Sequence, residues 1–101
     1  MSQIIVLGQF DIHPEDVSAA ADLMRTMMAE TAKEQGCVHY AFSRDLTNQN
    51  RIQLSELWES AEALEAHFHT PHMATYKEGI SKIRMESRRV DRYKGEPAGR
   101  L

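Results

Sequence analysis

Two stretches decide the fold: Cys37-Val38-His39-Tyr40-Ala41-Phe42-Ser43-Arg44-Asp45 and Arg51-Ile52-Gln53-Leu54-Ser55-Glu56-Leu57-Trp58-Glu59. Each alternates with a period of two, the repeat of a strand whose side chains point to opposite faces. The first sets Val38, Tyr40 and Phe42 on one face and Cys37, His39, Ala41 and Ser43 on the other. The second groups Ile52, Leu54, Glu56 and Trp58. Between them Thr47-Asn48-Gln49-Asn50 is a cluster of turn formers, so the two stretches read as a hairpin.

Working outward, Gln3 to Ile12 is a β-branched and apolar run, long enough for a buried strand and too short to span a membrane. His13-Pro14-Glu15-Asp16 then offers a proline at a first helical position, where no amide donor is needed, and two acids where the helix dipole favours negative charge. Val17, Ala20, Ala21, Met24, Met27, Met28 and Thr31 recur at three- and four-residue steps, which predicts an amphipathic helix running to Gly36. The methionines at that spacing are core packing. Beyond the hairpin, Ser60 is an N-cap for a second helix with Ala63, Leu64, and His67 or Phe68 facing inward. Pro71 interrupts it, and Met73, Tyr76, Ile80 and Ile83 resume the helical pattern. Glu86 to Tyr93 reads as a last strand. Residues 1–93 thus form the domain and 94–101 a polar tail.

The order is β-α-β-β-α-β: an α+β, ferredoxin-like arrangement with an antiparallel sheet and both helices on one face. The apolar residues of the hairpin were distributed above over two faces, and helices cover only one. A face-to-face homodimer is the expected cover.

Composition narrows the functions. The chain has 101 residues, which fits one domain. Its 42% hydrophobic and 27% charged residues are those of an ordinary globular protein. A net charge of −3 gives no electrostatic footprint for nucleic acid or anionic lipid. Cys37 stands alone, so it forms no intrachain disulfide. The first residues carry no basic segment ahead of a long apolar one, and a cytoplasmic location is expected.

The ordered set Glu34-Gln35-Gly36-Cys37-Val38-His39-Tyr40, Asp45, Glu56-Leu57-Trp58-Glu59-Ser60 and Ala63-Leu64-Glu65-Ala66-His67-Phe68-His69-Thr70-Pro71-His72-Met73 resembles the antibiotic biosynthesis monooxygenase family. The resemblance spans nearly the whole chain. It implies a dimeric α+β barrel of ferredoxin-like protomers acting on a quinol or phenol with dioxygen. It also implies no metal or flavin cofactor, the deprotonated substrate itself passing an electron to oxygen. The His67-x-x-Thr70-Pro71-His72 run is shared with relatives that isomerise a phosphorylated carbonyl compound, so an isomerase is the alternative, and a non-catalytic ligand-binding barrel a third reading. Where polyketide-phenol oxygenases of the family carry asparagine, this chain has Leu54. Haem-degrading relatives use an asparagine and a histidine near the positions of Gln9 and Lys77 here, so haem oxygenation is disfavoured.

The chemistry selects candidates. A phenol or quinol needs a base whose pKa lies near neutrality, which is where histidine begins, and His67 and His72 are the candidates for that base. Each has a structural reading beside it: His67 could hold a backbone carbonyl near Pro71, and His72 could cap the second helical segment. An aromatic substrate wants an apolar slot with few polar groups, which Leu54, Trp58, Phe68 and Met73 would supply beside Glu56, although Trp58 reads first as a core or interface anchor and only then as a substrate wall. Glu56 faces inward with a raised pKa or pairs with an arginine across a dimer, the ion pair being the reading preferred from sequence. His39 and His69 read as solvated and Cys37 as buried and inert. The arginines 84, 88, 89 and 92 alternate with acids as a solvated or interfacial ladder, from which one could orient an oxygenated ring. The run His67-x-His69-x-x-His72 argues against a metal: residues two apart diverge on a helix, and Pro71 breaks the turn that would bring the third ligand round.

Overall fold

The computed structural model describes residues 2–101. Strand β1 (Gln3–Ile12) leads through a short 3-10 turn at Pro14–Asp16 into helix α1 (Val17–Thr31). The hairpin β2 (Cys37–Arg44) and β3 (Arg51–Trp58) follows, then helices α2 (Ala61–His67) and α3 (Pro71–Ile80), and strand β4 (Met85–Gly95). The sheet is four-stranded and antiparallel in the order β2-β3-β1-β4. This is the expected ferredoxin-like α+β arrangement, with the second helix divided in two.

Local chemistry accounts for the element ends. Asp16 precedes α1, and its carboxylate receives the backbone and guanidinium N–H groups of Arg84 at 2.8–3.1 Å, tying the start of α1 to the start of β4. That pair holds the Asp16 carboxyl at about 2, well below its ordinary range. Helix α1 buries Val17, Ala20, Met24, Met27 and Thr31, the stripe expected from its spacing. It stops at Thr31 rather than at Gly36, because residues 32–36 form a turn in which the Glu34 carbonyl accepts from the Cys37 amide. Gly36 has φ +86°, a backbone that side-chain-bearing residues rarely adopt, and a Cβ there would lie 2.6 Å from the Cβ of Ala63. The turn is thereby pressed against α2. Ser60 caps α2 by accepting from the Ala63 amide, and Thr70 caps α3 by accepting from Met73, directly before Pro71 at the first helical position.

The hairpin departs from simple alternation. The register shifts between Cys37 and His39, so a bulge lifts Val38 out of step. Cys37 joins the helix-facing side opposite Trp58, while Val38 is half exposed. Tyr40 pairs with Glu56 and Phe42 with Leu54. Directly paired residues share a face, so the two apolar sets that the sequence assigned to opposite faces lie together under the helices. The outward face is apolar through other residues: Ile5 pairs with Leu57 and Tyr93, and Leu7 stands beside them, with Leu7 and Tyr93 about half exposed. Strand β4 extends to Gly95, two residues into the expected tail, because Gln3 and Ile4 supply partners for Gly95 and Lys94.

The core has two parts. Phe10, Ile12, Val17, Ala20, Met24, Ile52 and Leu54 form one cluster, and Ile4, Val6, Trp58 and Leu64 the other. Helix α3 buries no residue fully and lies against α1, where a Cβ on Gly79 would stand 2.7 Å from a methyl of Leu23 and oblige that side chain to shift. A sheet covered tightly by α1 and loosely by α3 leaves space between α3 and β4. No helix among the described residues is long and apolar enough to cross a membrane.

Candidate functional site

That space is a cavity of about 920 Å³, within the size range of small-molecule sites. The sheet contributes Val6, Phe10, Tyr40, Phe42, Leu54, Glu56, Arg88, Val90 and Arg92, and the helices contribute Leu64, His67, Phe68, Met73, Tyr76 and Ile80. Its wall is mainly apolar and aromatic, with few polar groups deep inside. Five of the seven residues singled out from sequence line it: Leu54, Glu56, His67, Phe68 and Met73.

His67 ends α2 and is 1% exposed. Its Nδ1 lies 2.7 Å from Oε2 of Glu34, and His72 Nε2 lies 2.7 Å from the same oxygen. An ionised carboxylate only accepts, so both ring nitrogens that touch it carry the hydrogen. In a neutral His67 the lone pair then resides on Nε2, which is buried and has no hydrogen-bond partner. Glu34 and His72 do not line the cavity and stand behind His67. Aromatic rings fix the imidazole plane: its centroid is 4.9 Å from the Trp58 ring and 5.4 Å from the Tyr40 ring. A base oriented by a carboxylate on one nitrogen and left free on the other has the arrangement general-base catalysis uses.

Glu56 occupies the inner face of β3 and is also buried. Trp58 Nε1 donates to its Oε1 at 2.7 Å. Burial pushes the Glu56 carboxyl up to about 7, against the opposing effect of the Trp58 hydrogen bond and with a smaller push from the charge of Glu34. Within its own chain Glu56 takes the inward reading: it lies between its strand partners Val6 and Tyr40, and none of the ion pairs among the described residues of the protomer includes it. Trp58, expected as a substrate wall, is fully buried behind the cavity, where it holds Glu56 and packs on His67. Burial also raises the Tyr40 phenol, and it lifts that of Tyr76 to about 12, so both keep their protons at neutral pH.

The histidine run resolves differently from its spacing. His69 is exposed at the rim of the cavity, and its ring hydrogen-bonds Glu65, as a solvated residue would. His39 is exposed and bonds Ser55. Pro71 does break the helix, but α3 restarts at once, and the change of direction returns His72 to His67. Thr70, not His72, provides the cap. Glu34, His67 and His72 place three ligand-type atoms within 4.8 Å of one another. Glu34 belongs to the Glu34-Gln35-Gly36-Cys37 segment but carried no role in the sequence reading, because it lies 33 positions from His67 and only the fold brings it there. The arginine ladder separates in the same way. Arg84 pairs with Asp16 and Arg89 with Asp91, while Arg88 and Arg92 turn to the helix side and edge the cavity. Arg92 stands 5.8 Å over the Phe68 ring.

Glu56 gives the site a measurable signature in stability. Its carboxyl is raised in the folded chain, so folded and unfolded forms are both protonated well below 4.5, and only the unfolded form ionises as pH climbs from 4.5 to about 7. Stability falls across that window and levels off above it, by about 3 kcal/mol for a shift of this size. Glu56→Gln keeps an acceptor for Trp58 and removes the titration. Thermal unfolding followed from pH 4 to pH 9 should show the variant gaining on the parent through the window and holding its advantage above it; a constant difference would contradict the buried-carboxyl description.

A family model described as antibiotic biosynthesis monooxygenase matches residues 3–79. "Probable quinol monooxygenase YgiN" of Escherichia coli is 34% identical over 70 residues, covering 61% of this chain and 67% of that protein. An uncharacterized Synechocystis protein is 28% identical over 91 residues, covering 90% of this chain, which spans 62% of that relative's length. A conserved protein from Methanosarcina mazei superposes with a TM-score of 0.85 at 25% identity over 92% of each chain. A Deinococcus radiodurans structure reaches 0.88 at 19% identity over 97% of each. The matched segment contains Glu34, Glu56, His67 and His72, and on these grounds the chain belongs to the antibiotic biosynthesis monooxygenase family.

Proposed function

We propose that this protein is a monooxygenase that oxidises a quinol or related phenol with dioxygen, and that His67 is its base. The observation that carries the proposal is the buried, unpartnered Nε2 of a cavity-lining His67 whose Nδ1 is held by Glu34. The family and the likeness to a quinol monooxygenase support the reaction class.

The steps balance without a third reactant. Nε2 takes the hydroxyl proton of the bound phenol, leaving a substrate anion and an imidazolium whose charge Glu34 offsets. The anion gives one electron to dioxygen, and the resulting radical and superoxide combine at a ring carbon bearing hydrogen. The C–H proton passes to the outer peroxide oxygen as the O–O bond breaks, which leaves a carbonyl at this carbon and releases hydroxide, and the hydroxide takes the proton back from His67 as water. The substrate supplies all the electrons, so neither flavin nor metal carries them. The apolar wall of Leu54, Phe68 and Met73 receives the ring, and Glu56, poised near neutrality, exchanges a hydrogen bond with a substrate oxygen. His72 holds Glu34 from the far side and acts through it.

Oxygen uptake by metal-stripped protein, offered hydroquinones, naphthoquinols and anthrones beside a protein-free blank, tests the reading. Uptake above the blank should fall by about 10²–10⁴-fold in His67→Ala. Full uptake in that variant, or none above the blank with any of these substrates, would overturn the assignment.

The same reading includes a homodimer formed through the outward sheet face, where Ile5, Leu7, Leu57 and Tyr93 leave apolar surface in contact with water. Sizing at micromolar concentration should return a dimer for the parent and a monomer for Leu7→Glu. A parent that elutes as a monomer would refute it.

A further inference from the structure

We propose that Glu34, His67 and His72 bind one Zn²⁺ ion, and that its binding switches off the base by moving the His67 proton to Nε2. Binding follows from geometry alone; the switching-off rests on the reading of His67 as base.

The three donors come from separate parts of the chain: the turn after α1, the end of α2 and the first turn of α3. Their ligand atoms lie within 4.8 Å of one another, and two imidazoles already converge on one carboxylate oxygen at 2.7 Å. Two histidines and a glutamate are a ligand set that zinc accepts, with water completing the tetrahedron; ligand atoms around such an ion stand about 3.3 Å apart. To hold the ion the cluster must therefore open by roughly half an ångström at each hydrogen bond, through the Glu34 side chain on its turn, while the two imidazole nitrogens, up to 4.8 Å apart, close by as much as about 1.5 Å through rotation of the half-buried His72. The pocket is accessible from the side away from the cavity, since the Glu34 and His72 side chains remain 13% and 18% exposed. An ion need not pass the substrate.

Proton placement gives the consequence. Without metal, Nδ1 of His67 carries the hydrogen toward Glu34 and Nε2 carries the lone pair. Zinc takes the Nδ1 lone pair, so a neutral His67 must hold its single proton on Nε2. His72 changes tautomer likewise, from Nε2–H to Nδ1–H. No proton is lost from either ring, yet the nitrogen that served as acceptor becomes a donor. The carboxylate offsets one of the two charges of the ion.

The test titrates Zn²⁺ into the full-length, tag-free, chelator-stripped protein by calorimetry, with nitrogen NMR of the imidazoles in the same samples. The expected result is one ion per chain and appearance of a proton on His67 Nε2. Glu34→Gln and His72→Ala should each weaken binding by at least about 10–100-fold, the loss that even outer-shell changes bring to metal sites. His69→Ala should bind as the parent does. Because a ligand variant could fail to fold, the parent loaded with Co²⁺ provides a separate reading, in which a tetrahedral absorption spectrum is expected. Absence of binding, equal binding in the ligand variants, or loss of binding in His69→Ala would overturn the site. Zinc that binds there and leaves oxygen uptake unchanged would overturn the switch. If no quinol is oxidised at all, the function fails, while the calorimetric and spectroscopic results still decide the site.

Discussion

One oxygen atom, Oε2 of Glu34, receives Nδ1 of His67 and Nε2 of His72, each at 2.7 Å. Hydrogen bonds to a charged acceptor in a partly dry setting are worth about 1.5–3 kcal/mol each, and here they set more than stability. They choose which nitrogen of a fully buried imidazole holds its proton, and they leave Nε2 without a partner. Leaving such an atom unsatisfied costs roughly 1–3 kcal/mol. The fold meets that cost at the wall of its large cavity, which is where a free lone pair is of use.

Much of the rest of the structure supports that arrangement. Gly36 lets the turn carrying Glu34 press against Ala63 of α2. Thr70 and Pro71 restart the helix at the angle that returns His72. Trp58 joins the two sides of the site, since its indole packs on the His67 ring and donates to Glu56. An imidazole oriented by a carboxylate and a carboxyl raised by burial thus line one apolar cavity.

The fold was legible in the sequence because its cues are local. Period-two alternation marked β2 and β3, three- and four-residue spacing marked α1, and Ser60 marked the start of α2. What local pattern cannot carry is register. The bulge at Val38 moved Cys37 to the inner face, and the unbroken register from Arg44 with Ile52 to Tyr40 with Glu56 set Tyr40 and Phe42 on the face of Leu54, so the apolar outer surface falls to Ile5, Leu7, Leu57 and Tyr93 instead. The site divided in the same way. His67, Glu56, Leu54, Phe68 and Met73 were found from residue type and motif, whereas Glu34 acquired its part only when the turn after α1 met α2. Trp58 was recognised, but its position behind the cavity depends on how deeply β3 is buried. His72 was recognised, but its partner was not.

Because the chemistry depends on where one proton sits, the tautomer of His67 is the most direct measurement. Long-range nitrogen–proton correlation NMR on uniformly ¹⁵N-labelled, metal-free protein at neutral pH, with His67 assigned by substitution, distinguishes the two ring nitrogens. A protonated Nδ1 beside an unprotonated Nε2 is the predicted state. A proton residing on Nε2 would contradict the account, since the nitrogen proposed as the base would then have no lone pair to accept a proton.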